Sequence, residues 1–318
     1  MILRFLKNWT LPVAMLIGTL GYFFFAYTPA VAPMKPFVHE LIAWLTPLLI
    51  FAQLLLTFCR VEVRDLKPRS WHGWLLLFQL LSCLIVAGGL LLYPWQEDYR
   101  GVLQGIMVCF ICPTATAAAV ITGKLGGSAS SLTTYTLLSN LLAAAVVPLV
   151  FPLVEPHAGM DFLQSFWKIL SKVFPLLLCP FLLACFFRTC LPRIHRWLLG
   201  FTDMAFYLWA VALAIVSGQT VRSLVQSYAP LGVELCVALG GLLACCVQFY
   251  LGKRIGGRWA DRISGGQALG QKNTVLAIWM AYTYLNPLSS VGPGSYVLWQ
   301  NLFNSWQLWK KRKLENAR

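Results

Sequence analysis

The chain has 318 residues, of which 58% are hydrophobic and only 11% charged, with a formal net charge of +14. That share of polar residues cannot cover the surface of a water-soluble fold, so the sequence reads as an integral membrane protein with the lipid bilayer as its partner. Its positive charge gathers in the joints between apolar runs, which explains the surplus as a topology signal and excludes a nucleic-acid partner.

Ten apolar stretches long enough to span follow one another, over 9–29, 37–58, 72–94, 101–123, 129–154, 166–187, 196–220, 231–252, 263–285 and 287–308. Arg4 and Lys7, the first run and Ala30-Val31-Ala32 resemble a secretory signal with its cleavage site, but the run is longer than a signal core and reads as the first helix. Cations then mark alternate joints: Arg60, Arg64, Lys67 and Arg69; Lys124; Arg188, Arg193 and Arg196; Lys253, Arg254, Arg258 and Arg262; and finally Lys310, Lys311, Arg312, Lys313 and Arg318. The opposite side carries only Lys35, Arg100 and Arg222, with Lys168 and Lys172 near the outer end of the sixth span. By the positive-inside rule both termini lie in the cytoplasm, which fits a multi-pass protein of the inner (cytoplasmic) membrane.

The fourth span contains "CFICPTATAAAVITGKLGG". Pro113 cannot donate a backbone hydrogen bond, so the helix is expected to kink or unwind near Cys112 and leave carbonyls and the hydroxyls of Thr114 and Thr116 at mid-depth. In lipid such groups must face protein or a wet cavity. A kink satisfied by neighbouring helices is the plain alternative. On the fifth span Thr133, Thr136 and Asn140 recur at spacings of three and four and share one helix face, either as interhelical glue or as part of a site.

Cut near residue 155, the ten spans form two five-helix repeats, 1–155 and 156–318. An odd number of spans inverts the second copy, giving an all-α fold of two inverted repeats. The fourth span of the second half should then match the first in irregularity. It holds "GQALGQKNTVLAIW", where Gly265, Gly266 and Gly270 are expected to weaken the helix and Gln267, Gln271, Lys272, Asn273 and Thr274 put a polar cluster at depth. Paired irregular spans are the sequence signature of a mid-membrane binding site. Asn286 and Pro287 read as the cap and first turn of the tenth helix, which fixes where the ninth must end.

Cys83, Cys109, Cys112, Cys179, Cys185, Cys236, Cys245 and Cys246 fall inside apolar spans, Cys59 and Cys190 at cytoplasmic ends, so they read as small packing residues rather than a disulfide framework. His39, His72, His157 and His195 lie near helix ends without metal-ligand spacing, and no metal or other cofactor is expected.

Four stretches, "LLIFAQLLLTFCRVEVRDLKPRSW", "CPTATAAAVITGKLGGSASSLTTYTLLSNLLAAAVVPL", "GQKNTVLAIW" and "LNPLSSVGPGSYVLWQNLFN", resemble in order and spacing the corresponding parts of the bile acid:sodium symporter family. The resemblance implies ten helices, a core domain holding two crossed, unwound helices (the fourth and ninth), and a panel domain that moves against it. It also implies transport of organic anions driven by sodium. At the places where that family binds its first sodium with a Ser-Asn pair and a glutamate, this chain has Ala118, Ala119 and Ala268, with Gln267 one residue away from the last. Thr136 and Asn140 match the assisting positions on the next helix. The glutamine of the family's second site is here Lys272, followed by Asn273.

Sodium is a hard cation that wants oxygen ligands, and alanine supplies none. An ammonium at a former cation site would repel the ion besides, so two-sodium coupling is expected to be lost. Lys272 is then a fixed cation in the place of sodium, attracting an anionic substrate. The alternatives are a proton switch, since burial disfavours a charged amine, and a lysine that snorkels to the interface. The expected function is secondary transport of a small or amphipathic organic anion by alternating access, without enzymatic activity. Thr114, Thr116, Gln271, Lys272 and Asn273 are the candidate crossover residues, with Thr136 and Asn140 beside them. A membrane enzyme acting on a lipid-linked substrate is the alternative from another class, but Glu40, Asp203 and Glu234 lie at span ends and at different depths. A conventional sodium-coupled symporter and a channel are the others, the latter without any ring of like charge.

Overall fold

The computed structural model describes residues 10–156, 159–201, 203–227 and 229–316. Arg4, Lys7, His157 and Arg318 lie outside them. Thirteen α-helices run through the described residues: α1 (Thr10–Tyr27), α2 (Lys35–Cys59), α3 (Ser70–Leu92), α4 (Glu97–Ile111), α5 (Ala118–Leu125), α6 (Ala129–Val154), α7 (Phe162–Cys190), α8 (Pro192–Leu199), α9 (Met204–Val225), α10 (Leu231–Gly257), α11 (Arg262–Gly270), α12 (Thr274–Tyr284) and α13 (Val291–Asn316). Seven of them, α1, α2, α3, α6, α7, α9 and α10, are long and apolar enough to cross a membrane, α2 together with the short 3₁₀ turn that precedes it. The fourth and ninth predicted spans are each a pair of half-helices, α4 with α5 and α11 with α12.

The seventh predicted span, 196–220, is corrected: residues 192–199 form the separate α8, and α9 starts only at Met204. Pro192 begins α8 at its first position, Gly200 closes it, and its Arg193 and Arg196 alternate with apolar Ile194 and Trp197, a pattern for a short surface helix rather than the start of a span.

The chain divides into two compact units. One contains Met1–Arg60 and Pro175–Tyr228. In it α1 lies against α9 at Gly18 and Gly218; a Cβ on Gly18 would run into the Ala214 carbonyl, so the glycine is what permits the approach. The C-terminal carbonyl of α2, Cys59 O, accepts from Arg188 Nη2 at 3.0 Å and contacts His195 Nε2 at 2.9 Å. A cation at that end complements the partial negative charge of the helix terminus.

The other unit contains Val61–Phe174 and Ala229–Arg318. Trp71, Leu75, Leu132, Tyr135, Ala268 and Leu269 form one apolar cluster in it, and Cys109, Ala244, Cys245, Phe249 and Tyr296 another. Each unit draws helices from both halves of the sequence. Of the three glycines expected to weaken the ninth span, Gly270 ends α11, whereas Gly265 and Gly266 do not interrupt it. They stay helical in α11 and lie against Gly252 and Gly256 of α10, where a Cβ on Gly252 would collide with the Gly265 carbonyl. Small residues here permit backbone contact between helices, as they do at many membrane interfaces. At the other end of the ninth span, Asn286 Oδ1 accepts from Leu288 N at 3.0 Å and caps a 3₁₀ turn, Pro287–Ser290, that leads into α13, so the expected cap is present but the first turn is 3₁₀ rather than α-helical.

Candidate binding site at the helix crossing

An α-helix leaves its last four carbonyls without an intrahelical partner. For α4 these belong to Cys109, Phe110, Ile111 and Cys112, because Cys112 N still reaches Val108 O while Pro113 has no N–H to continue the ladder. All four are taken by side chains. Gln248 Nε2 donates to Cys109 O at 3.1 Å, Lys272 Nζ to Phe110 O at 3.1 Å, and Gln79 Nε2 to Ile111 O and Cys112 O at 2.8 and 3.1 Å. In a medium with little water, orphan carbonyls satisfied in this way hold the break open at small cost.

The second break follows Gly270. Ala268 O accepts from Thr114 Oγ1 at 2.5 Å and Gly270 O from Tyr296 Oη at 2.8 Å. Between the half-helices the two extended segments pair as a minimal antiparallel bridge of Thr114 with Lys272. Ala115 N donates to Gln271 O and Asn273 N to Pro113 O, each at 2.9 Å. The amides of the two facing residues turn outward: Thr114 N donates to Ser139 Oγ at 3.1 Å and Lys272 N to Gln300 Oε1 at 2.9 Å. Asn273 caps α12 by accepting from Leu276 N at 3.3 Å.

The contacts come in matched pairs. Thr114 and Lys272 each reach, through the side chain, the carbonyl four residues before the other's own position in the crossing, Ala268 and Phe110. Ser139 and Gln300, which receive the two amides, each stand four residues after a buried tyrosine, Tyr135 and Tyr296. Tyr135 Oη donates to Gln79 Oε1 at 3.0 Å, and Tyr296 Oη accepts from Gln248 Nε2 at 3.1 Å.

Lys272 is 1% exposed, so it is not a snorkelling residue in this structure. Phe110 O is its ammonium's one hydrogen-bond acceptor among the described residues, and no described ion pair includes it. The charge therefore sits at the negative end of the α4 dipole with two N–H donors uncommitted. Thr114, Gln271 and Asn273 are buried with it, and Gln271 Oε1 has no partner. Thr116 is half-buried and makes no hydrogen bond with the described residues.

On α6 the expected stripe divides. Thr136 Oγ1 turns back to Leu132 O at 3.0 Å, while both amide atoms of the buried Asn140 lack a partner. Ser139, which the spacing did not single out, makes the contact to the crossing. Ala118 and Ala268 are fully buried, Ala119 packs at the edge of the Trp71 cluster, and Gln267 Nε2 donates to Asn304 Oδ1 at 3.0 Å. Among the described residues no group of three or more His, Cys, Asp or Glu could hold a metal ion. Gln79, Gln248, Gln300, Tyr135 and Tyr296 were missed as well. Their signal was present, because an isolated glutamine in the middle of an apolar span needs a buried partner.

Residues 15–310 match the SBF-like CPA transporter family. The chain belongs to that family. No curated protein matches the chain. Membership in a family of transporters, together with several apolar helices of spanning length, makes this a multi-pass membrane transporter. The two interrupted helices thus meet inside the unit with their freed backbone groups satisfied, while Gln271 Oε1 and the amide of Asn140 are left without partners.

Proposed function

We propose that this protein is a secondary transporter of a small or amphipathic organic anion, working by alternating access, in which the Lys272 ammonium replaces a sodium ion. Its ten spans form two inverted five-helix repeats, 1–155 and 156–318, within the inner membrane and with both termini in the cytoplasm. The unit holding α1, α2, α8 and α9 is the panel, and the unit holding both broken helices is the core. The matched hydrogen bonds of Thr114 and Lys272, of Ser139 and Gln300, and of Tyr135 and Tyr296 support the repeat, since each pair occupies corresponding places in the two halves.

The observation that carries the reading is Lys272 Nζ on Phe110 O at 3.1 Å. A cation is held there covalently, against helix-end carbonyls of the kind that bind sodium. The alanines at 118, 119 and 268 remove oxygen ligands from the other expected cation site. Two free N–H donors of Lys272 and the unpartnered Nδ2 of Asn140 offer donors for a carboxylate or sulfonate, with Gln271 beside them. Thr114, Thr116 and Asn273 line the crossing, with Thr136 beside it, and the N-termini of α5 and α12 add partial positive charge.

The test is uptake of labelled organic anions into proteoliposomes, in sodium and in choline buffers at two pH values, for wild type and Lys272→Gln. Saturable uptake that is indifferent to sodium in the wild type is expected. Strong sodium dependence of the wild type would refute the replacement, and conversion of the solute without accumulation would refute transport. A pH dependence abolished by Lys272→Gln would make the lysine a proton switch rather than a fixed charge.

A further inference from the structure

The glycine contacts that bring α10 against α11 have an electrostatic consequence at the end of these helices. Lys253 lays its aliphatic chain over Gly266, and its ammonium lies within electrostatic reach of Arg262 and Lys310. None of the three takes part in an ion pair among the described residues. The neighbouring acids are committed elsewhere: Asp261 to Arg69 at 2.9 Å and Glu315 to Lys311 at 3.4 Å. Three cations from three helices thus act on one another with no ion pair of their own among the described residues, an arrangement that costs energy unless an anion joins it.

The adjoining face of α13 states what kind of anion. Leu302, Trp306 and Trp309 are exposed and recur at spacings of four and three, so they share one side of the helix. The stripe ends on cations, with Lys310 Nζ 5.5 Å from the Trp306 ring centroid and Lys313 Nζ 5.4 Å from that of Trp309. An apolar strip, then tryptophan, then ammonium reproduces the order of acyl chain, glycerol and phosphate across a membrane surface. A free phosphate would have no use for the apolar part. We propose that Lys253, Arg262 and Lys310 form a site for the phosphate of an anionic phospholipid, seated against Trp306 and Trp309. The site is independent of the transported substrate and stands or falls apart from the reading of Lys272.

Native mass spectrometry of the full-length protein, extracted from vesicles of phosphatidylcholine and phosphatidylglycerol, tests it. The wild type should retain phosphatidylglycerol in preference to phosphatidylcholine. A cation near an anionic surface is worth about fivefold in affinity, so the triple variant Lys253→Gln/Arg262→Gln/Lys310→Gln should lose on the order of 100-fold. The exchange Lys253→Arg/Arg262→Lys/Lys310→Arg keeps the charges and should keep the lipid, which preserves the test if the glutamine variant does not fold. A control removing three other exposed cations, Arg64→Gln/Lys67→Gln/Lys124→Gln, should retain it. Retention of the lipid by the triple glutamine variant, loss of lipid by the exchange variant, or equal loss in the control would overturn the proposal. So would displacement of the lipid by inorganic phosphate alone.

Discussion

Replacing Lys272 by glutamine separates the charge of this side chain from its hydrogen bond. Glutamine keeps an N–H donor for the neighbourhood of Phe110 O, so the α4 terminus is not stripped bare, while the positive charge disappears. A sodium ion drawn to the α4 carbonyls would lie about 4 Å from the ammonium, and at an effective dielectric of about 20 their repulsion is about 4 kcal/mol. That corresponds to roughly three orders of magnitude in sodium affinity. The assay is the apparent melting temperature of purified protein in sodium and choline chloride at equal ionic strength. Wild type should melt alike in both. Lys272→Gln should gain a sodium response, about 1.4 kcal/mol when sodium stands tenfold above Kd, which is a rise of a few degrees. Lys272→Arg retains the charge and should remain indifferent. Sodium stabilisation of the wild type as large as that of Lys272→Gln would refute the reasoning. A glutamine variant that also ignores sodium would assign the loss to the missing oxygen ligands at Ala118, Ala119 and Ala268 instead.

Thr114→Val leaves the buried Ala268 carbonyl without its donor and should cost about 1–3 kcal/mol, seen as a lower melting temperature that Thr114→Ser restores. Gly252→Leu forces α10 away from α11 and should destabilise by about 1–3 kcal/mol or more, with reduced yield of monodisperse protein in detergent. Tyr296→Phe should cost more than Tyr135→Phe in the same melting assay, because Tyr296 Oη both donates to Gly270 O and accepts from Gln248. Tyr135 Oη only donates to Gln79, so its loss should stay near 1 kcal/mol.

What the sequence disclosed was whatever depends on one residue's own chemistry. Pro113 ends α4 at Ile111 because a missing N–H acts locally, and Asn286 with Pro287 starts the 3₁₀ turn that leads into the last helix for the same kind of reason. The break at 271–273 was visible as polar residues at depth. What stayed hidden depends on how helices cross. Gly265 and Gly266 weaken a helix in isolation, yet here they admit α10, so a contact with another helix reversed their meaning. On α6 the stripe through Thr136 and Asn140 was one residue away from Ser139, and a single residue is about 100° of helix rotation. Nothing within α6 decides which of two adjacent polar residues points at the crossing. The partners of the orphan carbonyls were hidden for the same reason, since Gln79 and Gln248 arrive from other helices.

On the proposed reading, a tethered cation also changes what can drive transport. A bound sodium ion carries energy because it enters on one side of the membrane and leaves on the other, so its gradient biases the conformational cycle. Lys272 is bonded to the chain and never dissociates. It can shape an anion site and hold the crossing together, but a cation that never leaves makes no net contribution of free energy over a closed cycle. On the proposed reading, net transport must then follow the substrate's own gradient, exchange against a second anion, or movement of a proton. Counterflow distinguishes the first two: an obligatory exchanger takes up labelled anion only when the vesicle is preloaded, whereas a facilitator equilibrates without preloading.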